Sequence, residues 1–358
     1  MKILFLTKYD YMGASSRYRT LQYLPYLKEQ NIDFDVKPLF SDAYLRYKYA
    51  NGKENKLITI KSILKRIFVV LFEASKYDIL VIEKELIPYF PPILEWYLKL
   101  RKIPYILDYD DAVWHNYDNH KKAIVRFLFK NKIASVIKNA KSVIAGSEYI
   151  KAFAQQFNNN VHKIPTVIDM NKYQCSTKKN DMDKFIVGWI GSPSTSKYIL
   201  YISEALKRFT DEYDAIVHLV GFDFKLSSKI GFRYKIIPWS ETTEVAEICK
   251  FDVGIMPLVD KPFERGKCGF KLIQYMGCKK PVIASSVGEN NIIVEDGING
   301  FLVNNENEFY EKLKFFYANR NIAKEFGING FKKVNKFYSL QESQKNYLKV
   351  LKKALEID

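Results

Sequence analysis

Short apolar runs alternate along this chain with longer segments whose apolar residues recur every three or four positions. The runs have the length of strands and the longer segments the period of helices. A first series of runs is Lys2–Thr7, Phe34–Leu39, Ile79–Glu83, Pro104–Asp108, Ser142–Ala145 and His162–Pro165. A second is Phe185–Ile190, Ala215–Val220, Tyr234–Ile237, Asp252–Met256, Pro281–Ser285 and Gly300–Val303. Strands alternating with helices predict βαβ units and parallel sheets. Two series predict an α/β chain of two doubly wound, Rossmann-like domains, residues 1–168 and 169–338. The break falls at 164–172, before the polar run Ser176–Asp183. Residues 41–62 are polar and tyrosine-rich and predict a loop with a short helix; a helix with a basic edge follows from Ser62. After Val303 the pattern is helical: Glu306–Ala318, Ile322–Phe337 and Leu340–Leu355.

Ligands of open α/β sheets bind at the carboxyl ends of the strands. Two facing sheets would hold one molecule between them, so the loops at those ends carry the candidate chemistry. The richest is RGKCGFKLIQYMGCKKPVIAS, Arg265–Ser285. It predicts a glycine-containing loop, a helix and a buried strand. Arg265, Lys267 and Lys271 bring positive charge to the helix start. Gly266 and Gly269 let backbone approach a ligand, and Cys268 and Phe270 lie between. Free N–H groups at a helix start make an anion site, most often for phosphate.

After the first strand, Gly13, Ser15 and Ser16 predict a turn and a helix cap. Arg17 and Arg19 then fall in the first helical turn, where cations are unfavourable unless an anion is bound; exposed arginines on an ordinary capped helix are the alternative. Asp108, Asp110 and Asp111 end another strand. Asp110 or Asp111 could contact a ligand at that end of the sheet, or Asp111 could cap the next segment. Gly191 and Ser192 open a loop of small hydroxyl residues before Lys197. Trp239 could stack on a base or pack on Pro238.

There is no G-x-G-x-x-G dinucleotide fingerprint, and no Ser–His–Asp or hydrolase-type carboxylate pair stands out. Cys175, Cys249, Cys268 and Cys278 show neither a CxxC pair nor zinc spacing with histidine, so four reduced thiols and no metal site are expected. No apolar run is long enough to cross a membrane, and no signal peptide is read at the start. The 358 residues carry a net charge of +16, which calls for an anionic partner. Nucleic acid is one option, but no RNA- or DNA-binding module is present; an anionic membrane is the other. Residues 121–141 hold seven Lys/Arg and no Asp/Glu among interleaved apolars. They predict either a membrane-facing amphipathic helix or a core helix with a solvated basic face.

The run KCGFKLIQYMGCKKPVIASSVGENNIIVEDGINGFLV resembles the donor-binding segment of retaining glycosyltransferases of family 4, whose fold is GT-B. The resemblance extends, more weakly, over most of the chain. It implies two Rossmann-like domains across a cleft, with a last helix, 339–358, packing back on the first. It implies a UDP- or GDP-linked sugar donor and a glycan or lipid-linked acceptor. It implies no metal and no further cofactor, a cytoplasmic place at the inner face of the membrane, and a role in bacterial surface polysaccharide synthesis. By the same likeness Asp110, Lys197, Arg265 and Lys267 are the catalytic candidates. Gly13, Ser16, Arg17, Gly191, Ser192, Trp239, Cys268, Gly269, Phe270, Lys271 and Gln274 are the donor-binding ones. Four positions depart from the family pattern. Asp110 stands in the place of a histidine, Ser192 in that of an arginine, and Gly266 and Gln274 in those of two glutamates. A nucleotide-sugar-binding protein or epimerase of the same architecture is therefore the alternative.

Overall fold

The structure, a computed structural model, describes residues 1–175 and 184–356. Ser176–Asp183 lie outside the described residues, so the polar run expected at the domain break is not part of the account that follows. The chain divides into two compact units. The first holds Met1–Thr166, Gly266–Cys268 and Ser343–Asp358; the second holds Val167–Arg265 and Gly269–Glu342.

The first unit is built on β1 (Lys2–Leu6), β2 (Asp33–Val36), β3 (Ile79–Glu83), β4 (Tyr105–Tyr109), β5 (Ser142–Ala145) and β6 (Val161–Lys163). They form one parallel sheet in the order β2-β1-β3-β4-β5-β6. β3 and β4 are buried at every position, as expected of strands covered on both faces by helices. The second unit is built on β7 (Phe185–Ile190), β8 (Ala215–Val220), β9 (Tyr234–Ile237), β10 (Val253–Met256), β11 (Val282–Ser285) and β12 (Gly300–Val303). Its sheet, also parallel, runs β12-β11-β10-β7-β8-β9. All twelve apolar runs are strands, with ends shifted by at most a few residues. Each sheet has its own apolar core.

The strand orders locate the ligand ends. In the first sheet the chain goes from β1 to β2 on one side and then to β3 on the other. In the second it goes from β7 out to β9 and returns on the far side with β10. Such reversals leave a crevice at the carboxyl ends of the two central strands, where the flanking loops part. That places the Gly13 loop beside the end of β3, and the Gly191 loop beside the residues after β10.

Several local expectations are corrected. Residues 41–62 are mostly helical: Asp42–Asn51 is one helix and Lys56–Phe72 another. The second begins at Asn55, whose side chain accepts from the N–H groups of Leu57 and Ile58, a cap that outweighs the polar composition. Residues 121–141 are two helices, Ala123–Phe129 and Lys132–Lys138, the second largely buried. Lys132 turns inward to Glu85 at 2.6 Å, so only the first half of that stretch keeps exposed apolar residues. Residues 193–202 form a 3₁₀ stretch. Finally, Cys175 and Cys249 are joined in a disulfide with Cα atoms 5.5 Å apart. The reading of four reduced thiols therefore holds only for Cys268 and Cys278, both buried. The pair was hidden because its members are 74 residues apart in sequence.

Candidate functional site

In the first unit the reversal point gathers an ionic cluster. The helix Ala14–Arg19 is capped by Gly13, not by a serine; Ser16, inside it, ties down the turn after β1, its hydroxyl accepting from the Tyr9 N–H at 2.9 Å and donating to Glu83 at 2.7 Å. The Ser15 hydroxyl lies 2.9 Å from a Glu83 oxygen and 2.6 Å from an Asp110 oxygen. One hydroxyl has one proton, so it cannot donate to both acids at once. Burial, then the nearby Asp110 carboxylate, raises the pKa of Glu83 against the pull of Lys84 and the two serine hydroxyls. Gly13 packs its Cα against Tyr9, where a Cβ would lie 2.2 Å from the tyrosine Cβ.

Lys84 completes the cluster. Its φ is +61°, a backbone state that non-glycine residues rarely adopt and that tends to mark functional positions. That turn directs its ammonium to Asp110 at 2.8 Å and Asp111 at 2.9 Å. Burial works against the charged lysine, but Asp110, Asp111 and Glu83 outweigh it and hold its pKa well above normal. Burial would likewise raise Asp111, yet Lys84 and then Lys267 hold it well below the usual carboxylate range. Sequence reasoning missed Lys84 and Glu83. The signal was the charged trio Glu83-Lys84-Glu85 closing an apolar strand.

The two arginines fall in the last turn of the Ala14–Arg19 helix, not in its first. Arg19 is buried and gives Nε and a terminal nitrogen to one Asp108 oxygen at 2.9 and 2.6 Å, and another nitrogen to the Ile164 carbonyl. Burial pushes Asp108 up to about 6 against that pull. Arg19 is thus a tie inside the unit, not an anion ligand. Arg17 is also buried, and donates to the Tyr11 carbonyl. Cys268 packs as a small side chain, its sulfur donating to the Asp110 carbonyl, and Gly266 abuts Ala112.

In the second unit the loops after β7, β8 and β10 meet. Gly191 accepts no side chain: a Cβ there would lie 2.4 Å from the Trp189 ring. Its neighbour Gly221 has φ +73°, and a Cβ there would lie 2.3 Å from the Gly191 carbonyl. Ser192 turns the chain, its N–H donating to Thr195 at 3.1 Å. Lys197 is exposed beyond it, its ammonium 5.1 Å from the Tyr198 ring centre. Across from this loop, Gly269 starts the Phe270–Gly277 helix with φ +63°. Lys271, in that helix's first turn, lies 5.1 Å over the buried Trp189 ring. The helix start and the Gly191 loop therefore share one aromatic floor, with N–H groups and a cation above it.

A hydrogen-bonded chain runs behind. The Gln274 amide donates to the Tyr173 hydroxyl at 2.8 Å. Tyr173 reaches one Glu244 oxygen at 3.5 Å, and the Trp239 indole N–H donates to the other at 2.9 Å. Trp239 is half-buried and held by that bond, and Gln274 is buried. Glu264 is buried and accepts from the Tyr198 hydroxyl at 2.6 Å. Arg265 lies on the exposed side, forked onto Asp260 at 2.6 and 2.9 Å. Such a surface pair is weak and can exchange for a bound anion.

Apart from Tyr173, this second-unit geometry falls inside residues 184–319, which match the family model described as Glycosyl transferases group 1. The second unit carries a group 1 glycosyltransferase domain. An uncharacterised glycosyltransferase of Methanocaldococcus jannaschii is 29% identical over 210 residues, 56% of this chain and 56% of that protein. The chain thus spans about half the length of this curated relative. Among solved structures, a sucrose-phosphate synthase of Thermosynechococcus elongatus superposes with a TM-score of 0.74 at 16% identity, all of both chains covered. HepE of Anabaena, solved with UDP-glucose, gives 0.67 at 17% identity over 99% of this chain and 100% of that one. The fold is GT-B. The glycosyltransferase domain includes every second-unit residue singled out above except Tyr173.

Proposed function

We propose that the chain is a retaining glycosyltransferase of family 4 that moves a sugar from a UDP- or GDP-linked donor to a glycan or lipid-linked acceptor. The reaction breaks a glycosidic bond to a diphosphate, so the group to stabilise is an anion. The observation that carries the reading is the second-unit meeting of Gly191, the Gly269 helix start and Lys271 over Trp189, within the group 1 domain. Backbone N–H groups there accept phosphate oxygens, and Lys197, Lys271 and Arg265, once released from Asp260, supply charge. Trp239 offers a ring for the base. Gln274, with Tyr173 and Glu244 behind it, takes the ribose side in place of a glutamate. In the first unit the Lys84–Asp110 cluster, with Lys267 beside it, serves the acceptor. The leaving phosphate itself deprotonates the acceptor on the front face. The acids of Asp108-Tyr-Asp110 are tied to Arg19 and Lys84, which supports a reaction without a metal, and EDTA should leave turnover unchanged. The acceptor's chemistry places the enzyme at the inner face of a bacterial membrane, in surface polysaccharide synthesis.

A donor panel of UDP- and GDP-sugars with nucleotide release as the readout tests this. One donor should release nucleotide, and Lys271→Ala should weaken its use by about tenfold or more, the scale of a charge-assisted contact. Gly266 and Gln274 in place of two glutamates favour the other reading, a nucleotide-sugar-binding protein or epimerase. Its sign would be a donor that raises the melting temperature without any nucleotide being released.

A further inference from the structure

The first unit carries an apolar surface that neither of its cores nor the proposed chemistry uses. On the Lys56–Phe72 helix, Leu57, Ile60, Leu64, Phe68 and Phe72 are each 53–72% exposed. Their spacing of three and four residues sets them in one stripe along the helix. The opposite face is occupied by Arg66, Val69 and Val70, which are buried in the unit. This helix is therefore apolar on its outer side as well as its inner one, a pattern that water alone does not support. The next helix, Ile93–Leu100, packs beside it through the Tyr97 hydroxyl on the Leu71 carbonyl at 3.0 Å. It adds Trp96 and Leu100, 51% and 81% exposed. Trp96 in turn reaches Ser135 of the Lys132–Lys138 helix. The short helix preceding that one exposes Phe127 at 79%.

The charges around these residues are mostly positive, and the two adjoining acids are taken up, Glu73 by Lys37 at 2.7 Å and Glu95 by burial. The Lys56–Phe72 helix contains Lys56, Lys61 and Lys65 and no acid, and residues 119–147 contain no acid either. A two-fold contact between copies of this chain would set those lysines against themselves. Nucleic acid would satisfy the lysines but leave the leucines and phenylalanines in water. A bilayer surface with acidic headgroups satisfies both: apolar side chains enter the acyl boundary while lysines stay with the phosphates. Among the described residues no helix is long and apolar enough to cross a membrane, so the contact is lateral. We infer that the Leu57–Phe72 stripe, with Trp96 and Phe127, is a docking face for an anionic lipid surface. The inference does not rest on the sugar-transfer reading, because lipid binding needs no donor.

Co-sedimentation of the full chain with vesicles of phosphatidylcholine containing 0 or 30 mol% phosphatidylglycerol, about as much as an acidic bilayer holds, tests it. Binding should appear with the acidic lipid and fall as salt is raised. The pair Leu64→Glu and Phe68→Glu, both solvent-exposed in the native chain, should lower the bound fraction at least tenfold. Lys61→Gln with Lys65→Gln should also lower it and flatten the salt dependence. Tryptophan emission should shift to the blue with vesicles in wild type and not in Trp96→Phe, a readout independent of the other variants' folding. Equal binding to neutral and acidic vesicles, no binding to either, or an unchanged bound fraction in the Leu64/Phe68 variant would overturn the proposal. So would a concentration-dependent dimer in wild type that the same variant abolishes, since the face would then be an interface between copies.

Discussion

Lys84 shows how much a single backbone angle decides. A lysine after an apolar strand ordinarily reads as a solvated end, yet a left-handed φ turns it onto two carboxylates. Replacing it by methionine leaves the partly exposed Asp110 and Asp111 without their shared cation. Removing one partner of a fully buried ion pair costs about 3–5 kcal/mol, and the partial exposure of both acids brings the cost here to about 1–3 kcal/mol. The pH dependence follows from Asp111, whose pKa is depressed in the folded chain. Its contribution is fully present above the ordinary carboxylate value near 4 and is lost as pH falls below it. Urea unfolding should therefore show Lys84→Met below wild type at pH 7 and the two converging beneath about pH 4. The Asp108–Asp111 acids were legible in the sequence because three carboxylates closed an apolar run. Lys84 was not, because its φ depends on how the chain leaves β3, and no residue type announces that. The positive charge of Arg17 and Arg19 was legible, but its use was not: Asp108, the partner that consumes Arg19, is 89 residues away.

At the scale of elements, the apolar runs placed every strand because a strand covered on both faces needs an unbroken run. The helices were less legible where a buried polar partner, not periodicity, decided their course. Lys132 ends the basic stretch as a surface feature only because Glu85 waits inside the fold. The same holds for the segment before β7, where Cys175 is bonded to Cys249 at the end of the Glu244–Cys249 helix. Cys278 lies close by: the three sulfurs are within 4.8 Å of one another. Burial pushes the Cys278 thiol up to about 12, so it stays protonated and is a poor partner for exchange. Denatured protein kept from reductant should show two reactive thiols, Cys268 and Cys278, and four after reduction. Closing a loop of this length restrains the unfolded chain by at most about 4.5 kcal/mol, so reduction should lower the melting temperature of the second unit by several degrees or more. Four thiols without reductant would show that the bond does not form in the native protein.

The whole molecule is two units whose residues do not follow a simple first-half, second-half order. The second unit runs to Glu342, where the Ile168 and Ser339 backbones pair and the Leu340 N–H donates to the Ile168 carbonyl. From Ser343 onward the same helix counts with the first unit. Its contacts there are with the beginning of the chain. Tyr347 stacks on Tyr23 at 4.3 Å with planes 16° apart, and Ser343 hydrogen-bonds the Tyr23 hydroxyl at 3.0 Å. Leu351 and Ala354 are buried further along the same face. Each large apolar side chain removed from such a core costs about 2–5 kcal/mol, and a domain's whole stability is about 5–15 kcal/mol. Ending the chain after Glu342 should therefore unfold the first unit while leaving the second, which keeps all of its own residues, intact. Scanning calorimetry should show the first unit's transition lost and a second one retained. The retained unit should still be shifted upward by the donor that the panel identifies, because the Gly191 loop, the Gly269 helix start and Trp239 all belong to it. A truncated chain that melts as wild type would mean that the Tyr23–Tyr347 stack contributes nothing to the first unit's stability.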